Sequence, residues 1–398
     1  MKHDVFVVGA GPAGSALSCF LAREGVRVLC VDKARFPRRK VCGEFLSPET
    51  RRTLAALGLE EELKKAAPIT GFRFVAESGR RWEGDFASLP KGERTAFGLG
   101  RSTLDVLLAS KAREAGAEVE EGFTVTGFQG APGAWTVSGR RGGSPRTVRM
   151  EADWLVGADG QHSLIHRKLL GAHPFRERRQ TDLFGFQAHF RNLRLHGCVE
   201  LDFFRGGYVG SNPVESGEAN VCFLIRRRGR GSLRHSEQDL DAFLSRLCRR
   251  QPSLAERLSG GVRSTPWSRT GRLRFGTRRC FVGGALLIGD SAGAIDPFAG
   301  DGISMALRGA EILASLLAAG GEDLGSRLYR AYSAAWAAAF GRRMRWAAGL
   351  RPLLNFTALP DALFQALSKR PSLSRRIVAA TRTPASSARP LPQRLISP

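Results

Sequence analysis

Apolar residues come in short unbroken runs near the start of the chain, and between them the spacing turns helical. Val5 to Val8 predicts a buried strand, Ala13 to Glu24 a helix and Val26 to Val31 the next strand, a βαβ unit at the very beginning. Pro48 to Leu57 has helical spacing with Ser47 as its N-cap, and Ser102 to Ala115 places Leu104, Leu107, Leu108 and Ala112 on one helical face. Ala117 to Val119 and Thr124 to Phe128 predict strands, and Trp154 to Val156 predicts a buried strand running into the turn Gly157-Ala158-Asp159-Gly160. From Asp182 to about Ile225 the pattern changes to short strands, Phe184 to Phe190, Val199 to Phe204 and Ala219 to Ile225, with a turn at Arg205-Gly206-Gly207. A helical insert at Gln238 to Leu247 precedes two further apolar runs, Phe281-Val282 and Leu286 to Ile288. Helices at Met305 to Leu317 and Tyr329 to Trp346 close the pattern.

Such an order implies an α/β fold with a discontinuous Rossmann-like lobe at residues 1–175 and 270–325. An inserted, mostly antiparallel β-sheet lobe at 176–269 would carry the substrate, 326–382 would be C-terminal helices, and 383–398, rich in Pro, Ser and Arg, a flexible basic tail. At 398 residues the chain is long for one core, which agrees with more than one lobe.

Charge narrows the partners. Lys and Arg total 61 against 37 Asp and Glu, a formal net charge of +24. The basic residues are scattered from Arg23 to Arg394 without interleaved aromatic platforms, so a specific nucleic-acid partner is not expected. A generally basic surface is the first reading, and peripheral contact with an anionic membrane the alternative. Seven cysteines without Cys-x-x-Cys spacing argue against a disulfide framework or a metal site and for a reduced, cytoplasmic setting. Met1-Lys2-His3-Asp4 and the apolar run after it belong to the first strand and not to a signal peptide, because the glycines that follow fall where a phosphate loop needs them. No apolar stretch reaches transmembrane length; Arg308 and Glu311 break even Met305 to Leu317. Oligomeric state is not legible.

The candidate chemistry lies at the turns. Gly9, Gly11 and Gly14 follow a strand and open a helix: the first allows a tight turn, the second close approach of backbone to a pyrophosphate, the third helix packing. Asp32 ends the second strand 18 residues after Gly14, where a carboxylate can accept ribose hydroxyls. These features suit NAD or FAD alike. Leu286 to Gly293, with Asp290 at its turn, supplies a carboxylate suited to a ribityl hydroxyl, and Gly300-Asp301-Gly302-Ile303 opens a helix whose positive end would face an electron-rich ring. Together they point to a flavin. Arg101 is either an exposed helix-start arginine or a pyrophosphate partner. Asp159 is either a turn cap or a site residue. Cys42, after Arg38-Arg39-Lys40-Val41, is either a thiol of lowered pKa or an inert buried residue. Glu44 would donate protons only from an apolar pocket; exposure is the ordinary state of Glu, so it is not counted as a site residue.

The turns at Gly9, Val156-Gly157-Ala158-Asp159-Gly160 and Gly289-Asp290 resemble the three motifs of the aromatic-hydroxylase class of flavoproteins, the group A flavoprotein monooxygenases. Lys40-Val41-Cys42-Gly43-Glu44-Phe45-Leu46-Ser47-Pro48 looks most like the geranylgeranyl reductase branch, whose members carry a Cys-Gly pair in this loop. The resemblance implies an FAD-binding lobe with contacts from Ala13, Asp32, Cys42, Gly43, Arg101, Val125, Asp290, Gly302 and Ile303. It implies an oxidoreductase that reduces a carbon–carbon double bond or hydroxylates a mostly apolar small molecule. Electrons would come from NAD(P)H, bound transiently, or from a reductase partner. Gly207-Tyr208-Val209-Gly210-Ser211-Asn212-Pro213 keeps only the tyrosine and proline of the prenyl reductases' Tyr-x-Trp-x-Phe-Pro segment, and the halogenases' Trp-x-Trp-x-Ile-Pro segment is absent. Tyr208, Asn212 and Asn220 are candidates for the substrate side, with strand-face packing as the alternative. The rival class is a non-catalytic escort protein on the same fold, similar to those that hold prenylated GTPases.

Overall fold

The computed structural model describes residues 2–87, 89–90, 92–170, 183–226, 236–319, 324–355 and 359–381. The expected basic tail at 383–398 lies outside the described residues.

Two large sheets organise the chain. The first has a parallel centre in the order Ala285–Leu287, Thr147–Gly157, His3–Val8, Val28–Asp32, Glu118–Glu121. Val5, Phe6 and Val7 are almost wholly buried, which explains why this strand shows an unbroken apolar run and no alternation. Each such side chain contributes on the order of 1.5–3 kcal/mol of burial. Helix Pro12–Arg23 packs against helices Arg101–Glu114 and Gly302–Ala318. Proline at its first position presets φ and lacks an N–H that the helix could not have paired. Val8 pairs with both Val31 and Gly157, and Gly157 pairs with Leu287, so the carboxyl ends of four strands lie along one edge. In open α/β sheets that edge is where ligands bind.

The second sheet runs Val262–Arg263, Leu183–Arg191, Ala219–Arg226, Gly207–Pro213, Cys198–Phe204, Gly71–Val75, Arg81–Asp85. It is antiparallel except where Cys198–Phe204 meets Gly71–Val75. The pattern at 182–225 pointed to this sheet but not to its outer hairpin, residues 71–85, which comes from the first hundred residues. Helices Glu237–Cys248 and Pro252–Leu258 cover one face through Phe186, Phe223, Leu240 and Leu254. A small sheet of Phe45–Leu46, Ala96–Gly98 and Ala67–Ile69 joins the lobes. There a Cβ on Gly98 would lie 1.7 Å from the Pro213 carbonyl oxygen, so only glycine permits the approach.

One local expectation changes, and one strand joins those read from the pattern. Ser47 is not an N-cap: helix Thr50–Ala56 starts later, after a turn in which Thr50 N–H donates to Ser47 O at 2.8 Å. Gly207–Pro213 is a central strand although it carries Gly, Asn and Pro, because its neighbours on both sides complete its ladder. The chain ends in helices Leu324–Asn355, Leu359–Ser368 and Pro371–Thr381. Among the described residues no helix is long and apolar enough to cross a membrane.

Candidate functional site

The aligned strand ends open onto a cavity of about 830 Å³, toward the upper end of ligand clefts, roughly 300–1,000 Å³. Gly9, Gly11, Pro12 and Ala13 form its floor at one end. Gly9 takes a φ of +105°, and a Cβ on Gly14 would lie 1.8 Å from Gly9 O, so both positions require glycine. Gly11 is the N-cap of its helix and no side chain caps it, which leaves the positive helix end toward the cavity.

Asp32 shapes this loop as well as lining it. Ala10 N–H donates to its Oδ2 at 3.0 Å, while Ala34 N–H and Arg38 Nη1 donate to Oδ1 at 2.9 and 3.0 Å. One lone pair on Oδ2 remains for a ligand hydroxyl. Arg101 is buried at the first position of its helix and donates through Nε and Nη2 to Asp105, each at 2.8 Å. The exposed reading of Arg101 is thereby corrected. Burial works against its charge, but Asp105 and Cys42 together outweigh burial and hold the guanidinium above its ordinary pKa.

Across the cavity, Asp159 acts as a cap. Leu164 and Ile165 N–H donate to its Oδ2 at 2.6 and 3.4 Å, and the Ser291 hydroxyl donates to Oδ1 at 3.0 Å. Its carboxylate still lines the cavity. Asp290 sits in the turn Gly289–Ser291, where it feels the charges of Lys40 and Arg278. Arg278 was not anticipated; burial brings it down to about 10, against the pull of Asp290 and Asp159. Gly302 and Ile303 begin the helix Gly302–Ala318, again without a side-chain cap. A Cβ on Gly302 or on Gly43 would meet nothing within 4 Å, so both glycines border open space. Val125, on the strand Phe123–Ala131, lines the same cavity.

Cys42 behaves as a protonated buried thiol. Burial pushes its pKa up, with Arg101 opposing, and Glu44 N–H donates to its Sγ at 3.3 Å. The lowered-pKa reading fails because burial outweighs the Arg101 charge beside the thiol, while Arg38 pairs with Asp32 and Asp105 and Arg39 with Thr265 Oγ1 and Pro266 O. Asn220 Nδ2 donates to Cys42 O and Gly43 O at 3.3 and 2.9 Å, so it holds the turn and is not among the cavity-lining residues. Glu44 was expected at the surface and is only 3% exposed, with a φ of +51°. Arg101 N–H donates to its Oε1 at 2.8 Å, and His189 Nε2 lies 2.6 Å from Oε2. No sequence signal marks that pair, whose members are 145 residues apart.

Beyond this turn the cavity becomes apolar. Phe72, Phe74, Trp82 and Phe86 line one part, and Leu350, Leu363, Leu367 and Val378 of the C-terminal helices another. Tyr208 and Asn212 line it from the strand Gly207–Pro213. Burial holds the Tyr208 phenol well above its ordinary pKa, and Asn212 Nδ2 donates to Pro213 O at 3.2 Å. Among the described residues no cluster of three or more His, Cys, Asp or Glu could hold a metal ion.

The residues fit a flavin dinucleotide. Two uncapped helix ends face the cavity, at Gly11 and Gly302, suited to phosphate and to an electron-rich ring. Arg101 supplies a fixed cation, Asp290 a carboxylate, and the glycines leave room between them.

Comparison with known proteins agrees. The FAD binding domain family model matches residues 2–346. Conditioned medium factor receptor 1 of Dictyostelium discoideum is 28% identical, over 93% of this chain and 74% of its own. Menaquinone reductase of Mycolicibacterium smegmatis is 30% identical, over 84% of this chain and 79% of its own. The structure of a flavin-dependent brominase superposes with a TM-score of 0.79 at 20% identity, covering 96% of this chain and 93% of that one. The chain belongs to the FAD binding domain family of FAD-dependent oxidoreductases.

Proposed function

We propose that this protein holds FAD along the edge of its first sheet and uses it to reduce a carbon–carbon double bond in a mostly apolar small molecule. One observation carries the reading: a single cavity joins the Gly9–Gly14 loop and the Gly302 helix end to an aromatic and aliphatic chamber. Bound FAD would supply a two-electron carrier able to pass hydride to an acceptor or to activate dioxygen. The chain's part is placement. Arg101 and the Gly11 helix end would meet the pyrophosphate, Asp290 the ribityl chain, and the Gly302 helix end would favour negative charge on the reduced ring. Cys42 and Gly43 would border the ring edge, with the thiol filling space. The Cys-Gly pair and the similarity to a menaquinone reductase support the geranylgeranyl reductase-like reading. Hydroxylation is the second reading, favoured by the resemblance of the three turns to those of the aromatic hydroxylases.

Purified protein is expected to be yellow and to release FAD on denaturation, measured by absorbance and chromatography. A chain that arrives colourless and takes up no FAD would favour the escort alternative. Anaerobically reduced protein mixed with menaquinone is expected to reoxidise without oxygen and, after air has returned the ring to the quinone, to leave a product two hydrogens richer in its side chain. Reoxidation only in air, with labelled oxygen in the product, would select hydroxylation instead. Supplying NADH, NADPH or a separate reductase identifies the donor.

Asp290→Ala should weaken FAD retention by about 1.5–3 kcal/mol, the worth of a charge-assisted hydrogen bond, or roughly 10- to 150-fold in Kd. Equilibrium dialysis reads this. Unchanged retention would remove Asp290 from the site.

A further inference from the structure

His189, half-buried, and the buried Glu44 form a chain of titratable groups between two openings in the molecule. Glu44 lines the main cavity, and its Oε2 lies 2.6 Å from His189 Nε2. The other ring nitrogen, Nδ1, stands 3.5 Å from Glu218 Oε2. Glu218 lines a second, solvent-open cleft of about 440 Å³ and pairs through Oε1 with the exposed Arg191 at 3.0 Å. The geometry is built and held. His189 and Asn220 are register partners on adjacent strands, and Asn220 fixes the Cys42–Gly43 carbonyls that set the turn into Glu44. Thr265 Oγ1 accepts from His189 N–H at 2.8 Å, and Arg101 N–H fixes the other oxygen of Glu44.

We propose that Glu218, His189 and Glu44 relay protons from the surface cleft to the flavin cavity, with Glu44 as the group that gives up the proton there. This rests on the flavin reading above. Saturating a double bond adds one hydride and one proton, so a site that receives hydride from a reduced cofactor also needs a proton donor. The His189 imidazolium passes its Nε2 proton to the Glu44 carboxylate, which hands it on toward the cavity and returns to a carboxylate. The neutral ring left behind, with its proton on Nδ1, exchanges to the Nε2–H tautomer, which frees Nδ1 to take a proton from solvent by way of Glu218. A histidine with a carboxylate at each nitrogen suits this task, since its two nitrogens exchange donor and acceptor roles. Cys42 and Tyr208 are weaker acids than a free thiol or phenol, because burial raises the pKa of both.

The charges around His189 set its working range. Burial disfavours the imidazolium, but the Glu44 hydrogen bond and charge, helped by Glu218, outweigh burial and raise its pKa; Arg39 opposes. Arg191 faces Glu218, and Arg101 sits on the far side of Glu44. His189 therefore stays protonated below this raised value and loses its proton as pH climbs through it. Removing the Glu44 charge moves that loss to lower pH.

Two measurements test the relay. Nuclear magnetic resonance of histidine-labelled, FAD-loaded protein is expected to show His189 titrating above an ordinary histidine, with the midpoint falling in Glu44→Gln. An unchanged midpoint in Glu44→Gln overturns the relay. In the second, chemically reduced protein is mixed with dioxygen, so that anionic reduced FAD, dioxygen and one proton give FAD and hydrogen peroxide. His189→Gln is expected to slow this reoxidation about 100-fold, the lower end for general acid catalysis, and to flatten its pH profile and solvent isotope effect while FAD content stays at the wild-type level. Glu218→Gln, a milder change at the surface end, is expected to slow it several-fold and to add nothing in the double variant. Wild-type rates and isotope effects in both variants at full FAD occupancy overturn the relay alone. A chain that takes up no FAD overturns the functional reading and the relay together.

Discussion

Arg257→Met is expected to destabilise the protein by about 3–5 kcal/mol, because it strips the cation from two wholly buried carboxylates. Arg257 Nη2 lies 2.7 Å from Glu200 Oε2, and Nη1 pairs with Asp202. Glu200 and Asp202 are 0% exposed and Arg257 3%, so water cannot take over the lost partner. Arg73 reaches Glu200 at 3.3 Å and would partly compensate there. Among the described residues, Asp202 would keep only the Ser253 hydroxyl, at 3.3 Å. Burial already pushes the Asp202 carboxyl up, with Arg257 holding it down, so removing the arginine would push it further up. Urea denaturation reads the loss. Arg257→Met combined with Asp202→Asn should recover part of it, since removing both charges removes the unpaired one. A single variant as stable as wild type would show the cluster to be energetically neutral.

Gly14→Ala should abolish FAD retention and cost about 3 kcal/mol or more of stability, at or beyond the upper end of ordinary overpacking. The added carbon would lie 1.8 Å from Gly9 O, 3.0 Å from Gly9 C and 3.1 Å from the Ala158 side chain. Two of those three contacts are backbone, which cannot swing aside as a side-chain tip does. Relief requires helix Pro12–Arg23 to move off the strand, and the loop that meets the pyrophosphate moves with it. Flavin absorbance after gel filtration measures retention. Gly11→Ala is the informative partner: its nearest neighbours are the Arg38 and Arg101 guanidinium tips at 3.5 and 3.8 Å, so the chain should fold normally. Any loss of FAD in that variant would come from a blocked approach alone.

Much of the site was legible because local rules govern it. The Gly9–Gly14 turn and the Gly302 helix start depend on residues close in sequence, and Gly9, Gly14 and Gly300 are there for backbone reasons that spacing reveals. Asp32 and Asp290 could be picked out because each ends or follows an apolar run. Arg101 was ambiguous for want of a burial signal, and Asp105, one turn further on, decides its orientation. Cys42 was misleading. Its neighbours Arg38 and Arg39 point at Asp32, Asp105 and Thr265, not at the thiol.

By itself, then, the sequence determined the βαβ start, the parallel sheet implied by unbroken apolar strands, the second sheet's presence and the flavin-like turns. Hydrophobic period and turn chemistry are short-range properties, and the chain carries them openly. The tertiary structure alone decided that residues 71–85 join the second sheet, that Gly207–Pro213 is a central strand, and that Glu44 is buried against His189. Each of those depends on a partner far away in sequence. Strand pairing and burial of charge are settled by what the rest of the fold brings alongside, and no local pattern records it.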